Sequence, residues 1–505
     1  MRCYWDYQIL QRRSCFETLS LDIMNIVQQT IKNNRPKISW KAAEILGATK
    51  GILLSGEIDR FFLDISIDSR NISAGDFFVA IKGAVHDGHN FADDLIKNGI
   101  SGVLINKNNI KCLPCLEWMN KGVVCIAVDD TTKALGGSAA FNRKRSESSV
   151  AAITGSNGKT TTREMTSSIL SRRFCVLSTK GNFNNEIGLP LTLFRLKRCH
   201  KWAVLELGMN SPGEIGRLAN ICSPDIGVIT NIGPAHLEGL GSIEAVMNAK
   251  GELLGEIEPV GTAVLNADDP YIMQLAKRTS KNIFFYGLSE KADVKADSIK
   301  RIGQKISFIL VLPEEKISIS FGAAGNFMVS NALAAASVGY LLGLPAGEIK
   351  AGLEDFKPVE GRMNIFKTSR KIHIIDDTYN ANPASMEAAV KTLSSLKEKS
   401  RGVFVAGDML ELGDYAEAMH KRIGSLIAEY NVSRLYITGE FAKSVSEGAM
   451  AGGMHSDDIF IGTKDEIVGD LTYWVRPDDW ILVKGSRGMA MGKIVEDFKK
   501  WSDSS

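Results

Sequence analysis

The stretch 151–165, AAITGSNGKTTTREM, constrains this chain more than any other. Val150 to Ile153 reads as a short buried strand, and from Thr160 to about Leu170 apolar positions recur at helical spacing. A strand, a glycine turn and a helix opening at a lysine together make a phosphate cradle. Gly155 and Gly158 allow backbone angles and a close approach that a Cβ would block. The N–H groups at the helix start point at an anion, with the helix dipole behind them. Thr154, Gly155, Ser156, Asn157, Gly158, Lys159, Thr160 and Thr161 are therefore the candidate nucleotide contacts. Lys159 supplies a point charge for β/γ-phosphates, and the Thr160 hydroxyl suits Mg²⁺. Ile153 stands where the usual G-x-x-x-x-G-K spacing has its first glycine, so the loop is a shortened variant.

A length of 505 residues suggests three domains at about 150 residues each. The chain is 44% hydrophobic and 23% charged, enough to build several cores. A formal net charge of +2 argues against a dedicated nucleic-acid binder, and short runs such as NRKR (142–145) read as solvated faces. No apolar run approaches the roughly 18–20 residues that span a bilayer. The first residues, MRCYWDYQILQRRSCF, lack the apolar core and cleavage site of a signal peptide, so a cytoplasmic protein with reduced thiols is expected. Cys112 and Cys115 form one C-x-x-C without a second pair, which reads as an incidental surface pair rather than a zinc site.

Downstream of the loop, apolar runs end repeatedly in polar residues. WAVLELGMN closes at Glu206, DIGVITNIGPAHLEGLGS leads to His236, and GTAVLNADDP ends in Asn266, Asp268 and Asp269. Helical patterns separate them, the signature of a parallel α/β unit whose strand ends gather ligand-binding groups. A second series follows KPVEGRMNIF (357–366), with strand ends IHIIDDTYNANP, RGVFVAGDMLELG, SRLYITGE and DWILVKGSRGM. Glu206 can hold a nucleotide-bridging Mg²⁺. His236 alone carries little, and Lys250, in NAKGELL, reads as an ordinary surface lysine. Asp376 and Asp377 end a strand and suit a ribose or a basic group. Asn380 and Asn382 flank a turn before Pro383, which suits a peptide ligand and equally a turn.

TGSNGKTTT, ELGMNSPGEI, NIGPAHLEGLGSIEAVMNAKGEL, EGRM and DDTYNANPASM, in this order, resemble the Mur ligases of peptidoglycan synthesis over about residues 37–495. GDMLELG, KGSRGM, DSR, GDFFVAIKG and DGHNF narrow the resemblance to the member that adds D-alanyl-D-alanine to a UDP-N-acetylmuramoyl-tripeptide. The implied fold is α/β in three domains: a mixed α/β substrate domain (37–147), a central P-loop parallel-sheet ATPase domain (148–358) and a C-terminal Rossmann-like domain (359–505). Residues 1–36 form an extension without a motif. The resemblance implies ATP and Mg²⁺, with Thr160, Glu206, His236 and Lys250 serving metal and Lys250 carbamylated. It implies nucleotide contacts from Asn331, Arg362 and Asp377. Ser69, Arg70 and His89 would hold the UDP-sugar, and Asn184 and Asn185 the central substrate loop. Asn380 and Asn382 would bind the dipeptide amide, and Lys484, Ser486 and Arg487 its carboxylate. The enzyme is expected to act as a monomer, without nucleic acid or membrane span. Phe327-Met328 replaces a polar pair of the family, an apolar substitute that can pack against a base. The rival readings are the preceding Mur ligase, which adds the third amino acid, and a P-loop nucleotide switch or ATPase.

Overall fold

The computed structural model describes residues 38–504; the motif-free extension 1–36 lies outside them. Two compact units are present. The first comprises the described residues up to Ser148 with Phe174–Leu177 and Pro190–Ala203, and the second holds Ser149–Arg173, Ser178–Leu189 and the chain from Val204 onward.

Five strands form the sheet of the first unit, in the order Ile52–Ser55, Val124–Val128, Gly102–Asn106, Phe77–Val79 and Ile65–Ser66. All neighbours are parallel except the antiparallel edge strand Ile52–Ser55. Trp118, Val103, Ile105 and Phe78 fill its core.

The phosphate-loop strand Ser149–Thr154 lies inside a nine-stranded sheet, next to Ile226–Ile229 and Trp202–Glu206. Parallel pairing runs outward through Thr262–Asn266, Asn282–Gly287 and Val294–Ile302. Lys305–Val311 and Lys316–Gly322 then add an antiparallel edge. The central strands are buried on both faces, which is why they read as unbroken apolar runs rather than alternating ones. Their carboxyl ends bring Thr154, Glu206 and Thr230 to one edge. The polar residues read from the sequence as strand ends are in the place where open α/β sheets bind ligands.

The C-terminal sheet has six strands: Asn364–Lys367, His373–Asp377, Trp480–Lys484, Gly402–Gly407, Arg434–Thr438 and Ile459–Ile461. Only Asn364–Lys367 pairs antiparallel. Because Trp480–Lys484, the last strand, inserts between His373–Asp377 and Gly402–Gly407, their carboxyl ends place Asp377, Lys484 and Gly407 side by side. The α/β class with a central P-loop sheet and a Rossmann-like C-terminal sheet is as the sequence implied. No helix among the described residues is long and apolar enough to cross a membrane.

Candidate active site

The phosphate loop is locked from below. Thr230 donates its hydroxyl to the Asn157 carbonyl at 2.6 Å, and Asn231 accepts the Asn157 N–H on Oδ1 at 2.9 Å. Ser156 Oγ donates to Gly233 O and accepts from Gly233 N. Gly155 and Gly158 both have positive φ, 146° and 80°. A Cβ on Gly155 would sit 1.9 Å from the Thr230 hydroxyl, and one on Gly158 2.3 Å from Asn331 Oδ1. Gly155→Ala is therefore expected to pry the loop from Thr230, lowering the melting temperature by several degrees and abolishing nucleotide binding. A thermal melt with and without ATP checks it; a full ATP-induced shift would contradict it.

The helix Lys159–Leu170 begins at Gly158, and its first residues serve the site. Lys159 Nζ donates to the carbonyls of Gly155 and Ser156. Desolvation pulls its pKa down, Glu206 pulls it back up, and Arg362 lowers it further. Thr160 Oγ1 donates to Glu206 Oε2 at 2.8 Å, while Asn184 Nδ2 donates to Oε1 at 2.9 Å. Glu206 is 2% exposed, and Arg163, also buried, stands 3.6 Å from it. Asn184 thus orients the carboxylate, a role the substrate-loop assignment did not contain. Asn185 Oδ1 accepts the N–H groups of Ile187 and Gly188, capping the next helical turn.

Lys250 corrects the sequence reading. It is 1% exposed on the helix Ile243–Glu256, not on the surface. No carboxylate among the described residues pairs with it. Burial, and secondarily Lys159, drives its pKa well below that of an ordinary lysine. Arg362 and the Lys250 amine each act on Lys159, and Glu206 is the acid that opposes them there. The side-chain donors buried without a partner include Asn331 Nδ2, on the helix Phe327–Leu341 against Gly158, Arg362 Nε and Arg163 Nε. Buried unpaired donors are rare and costly, and here they surround a loop shaped for an anion. Of the apolar pair beside Asn331, Met328 is buried and Phe327 is partly exposed.

His236 offers Nδ1 to Glu411 Oε2 at 2.6 Å, leaving Nε2 for a ligand. A carboxylate on the far nitrogen is how metal-binding imidazoles are oriented. Glu411 comes from the GDMLELG segment, and the contact holds that segment's Glu carboxyl below its usual range.

The third-domain assignments divide. Asp377 and Lys484 pair with each other at 2.5 Å, and Lys484 also donates to Asn380 O at 2.8 Å. Lys484, 2% exposed, is thus already paired, and Asp377 accepts Met363 N on its other oxygen. Burial raises the Asp377 pKa, with Lys484 opposing. Ser486 Oγ accepts Leu410 N and donates to Ala381 O, tying loops together. Asn382 is likewise occupied. Its Oδ1 caps the helix Pro383–Lys397 through Ser385 N at 2.9 Å, and its Nδ2 donates to Asn157 Oδ1 at 2.9 Å. Asn380 and Arg487 are exposed, with Arg487 N donating to Asn380 Oδ1. Tyr379 lies beneath both arginines, 4.0 Å from the Arg362 guanidinium and 5.7 Å from that of Arg487.

These bonds give Asn382 a second expected role. From the sequence, Asn382→Ala should raise only the dipeptide requirement. The structure makes it a cap and a brace for the phosphate loop, so the substitution is expected to cost about 1 kcal/mol of stability and raise the ATP requirement several-fold. A melt and an ATP titration check this; a rise in the dipeptide requirement alone would restore the earlier assignment.

In the first unit, His89 has both ring nitrogens engaged. Nδ1 meets Asp87 at 2.6 Å and Nε2 accepts Asn106 N at 2.9 Å. It braces the start of the helix His89–Lys97 and has no nitrogen left for a sugar. Arg70 is exposed and bonded to Asp68, which its guanidinium holds far below the usual carboxylate range. Ser69, beside it, is half-buried. Sequence reasoning passed over Thr230, Asn231, Arg163, Tyr379 and Glu411. Asn231 and Glu411 lie inside quoted motifs, whereas Arg163 in TTTREM carries no signal beyond a polar helix position.

Three family models match the chain in succession: the Mur ligase family catalytic domain over residues 64–143, the Mur ligase middle domain over 153–339, and the Mur ligase glutamate ligase domain over 361–487. A UDP-N-acetylmuramoyl-tripeptide–D-alanyl-D-alanine ligase of Buchnera aphidicola is 35% identical, covering 92% of this chain and 99% of the relative. The crystal structure of MurF from Acinetobacter baumannii superposes with a TM-score of 0.84 at 33% identity, covering 92% of this chain and all (100%) of that one. MurF from Thermotoga maritima, crystallised with ADP, gives 0.77 at 26% identity over 86% and 97% of the two chains. A phosphate loop braced by its neighbouring strands, a buried carboxylate beside it and matches along nearly the whole length have one reading: the chain belongs to the Mur ligase family.

Proposed function

We propose that this protein is the ATP-dependent ligase that joins D-alanyl-D-alanine to UDP-N-acetylmuramoyl-tripeptide, giving the pentapeptide precursor of peptidoglycan, ADP and phosphate. One observation carries the reading. Lys159, with Arg362 and Lys250 each acting on it, stands on a loop braced for phosphates, beside the unpaired donors of Asn331 and Arg362 and the buried carboxylate of Glu206. A carboxylate does not acylate an amine directly, because oxide is a very poor leaving group. The tripeptide's terminal carboxylate oxygen takes the γ-phosphoryl group of ATP, and ADP leaves. The neutral amine of D-Ala-D-Ala then attacks the acyl carbon, and the carbon–oxygen bond to phosphate breaks. Lys159 and the loop N–H groups hold the transferring phosphoryl group, so catalysis is mainly positioning and charge neutralisation.

The residues present fit Mg²⁺. Thr160 and Glu206 offer hard oxygen donors, and His236 has Nε2 open. Mg²⁺ there would neutralise phosphate charge as it is transferred. Lys250 suits carbamylation: its amine is buried, unpaired and driven towards the neutral form that attacks CO₂. The nitrogen bonds to carbon and loses a proton, leaving a carboxylate that can bind a second Mg²⁺. For the acceptor, Arg487 and Asn380 remain available to the dipeptide, with Lys484 and Ser486 holding their loop. Ser69 and the exposed Arg70 would meet the UDP-sugar in the first unit. We take the enzyme to be a cytoplasmic monomer.

ADP release with UDP-tripeptide, measured with and without D-Ala-D-Ala, tests the reading. Release that needs both substrates is expected. Release without either would indicate an ATPase or switch, and release with a single free amino acid and the dipeptide precursor would indicate the preceding ligase.

A further inference from the structure

Cys175 and Cys199, both half-exposed, stand with their sulfurs 3.1 Å apart in the first unit, far from each other in sequence. The backbone holds them in register, since Lys201 N donates to Cys175 O at 2.9 Å. His200 completes a cluster whose three donor atoms lie within 4.8 Å of one another. Its geometry speaks against a metal. Nδ1 accepts Lys197 N at 2.9 Å, which leaves the ring proton on Nε2, so neither nitrogen has an uncommitted lone pair. Burial, with Lys197 and Arg195, lowers the His200 pKa to about 4, so the ring is neutral. The surroundings of Cys199, RLKRCHK, are cationic. Such a setting repels a dication and draws an anion.

We propose that Cys175 and Cys199 form a thiol–disulfide exchange site that closes to an intramolecular disulfide on reaction with an anionic small-molecule disulfide. One cysteine thiolate attacks a sulfur of that disulfide and expels one small thiolate. The second cysteine thiolate then attacks the protein sulfur of the mixed disulfide and expels the other. Two protein thiols and one small disulfide become one protein disulfide and two small thiols, with no other oxidant. A second cysteine contact, Cys115 with Cys125, lacks this chemistry. Cys125 is fully buried and its thiol is pushed up to about 12, so almost no thiolate forms there. Closure of the 175–199 segment would constrain the loop carrying Asn184, whose amide orients Glu206.

The test treats the full-length protein with oxidised glutathione in a glutathione buffer, then maps peptides without reduction. The expected product is a cross-linked Cys175–Cys199 peptide pair, lighter by two hydrogens, carrying no glutathione and lost on adding dithiothreitol. Cys199→Ser should instead retain one glutathione on Cys175, and His200→Ala should leave the yield of the cross-link within about two-fold. Stable glutathione on both cysteines, cross-linking confined to other cysteines, or no reaction would overturn the proposal. So would stoichiometric Zn²⁺ retention that blocks exchange and is lost in His200→Ala.

Discussion

Lys159→Ala is expected to lower turnover by about a thousand-fold or more while the melting temperature moves by no more than about 2 °C. The magnitude follows from what the ammonium does. In a dry, preorganised site, removing one donor aimed at developing charge costs about 10²–10³ in rate, and Lys159 also offsets phosphate charge on binding. The small stability change follows from its surroundings. Lys159 is desolvated, is disfavoured as a cation by Arg362, and donates to two loop carbonyls. ADP formation and a thermal melt on the same preparation check both halves. Near-wild-type ADP formation in a folded variant would remove the phosphate-loop reading.

Lys250→Ala is expected to cost nearly as much, for a different reason. Among the described residues the side chain touches no carboxylate, and it is buried in a position where an ammonium is disfavoured. Its contribution is expected to arise only after it becomes an anion. Deleting it removes that anion and opens a cavity of about the same shape. Small carboxylates such as acetate or formate should therefore restore part of the activity of Lys250→Ala and do nothing for Lys159→Ala. If Lys250→Ala runs at full rate, or if rescue fails while the fold is intact, the carbamate assignment is wrong. An intact lysine mass in protein prepared with bicarbonate, measured under conditions that preserve carbamates, would count against it equally.

The phosphate loop was legible because its chemistry is written in consecutive residues: Gly155, Gly158, Lys159 and Thr160 need no distant partner to be interpreted. The strand ends Glu206 and Asp377 were legible through unbroken apolar runs, which mark buried parallel strands whatever their order. Which partner each strand-end residue meets was not legible, because that depends on strand order. Lys484 looked like a free cation until the last strand of the sheet was seen to lie beside His373–Asp377, where it pairs with Asp377. Asn382 looked like a ligand contact because a helix cap and a ligand contact use the same amide, and its bond to Asn157 joins residues far apart in sequence. Lys250 shows the limit most sharply. An amphipathic helix does not declare from sequence which face the rest of the chain will cover, and a lysine on the covered face looks like any other.

The most direct test of the account follows the oxygen. With UDP-tripeptide carrying ¹⁸O in its terminal carboxylate, ATP and D-Ala-D-Ala, one labelled oxygen should appear in the released phosphate and the product amide should keep the other. Labelled phosphate formed only when ATP and both substrates are present is the predicted result. Unlabelled phosphate, with product still formed, would contradict the acyl-phosphate route and with it the role assigned to the site around Lys159, Glu206 and Lys250.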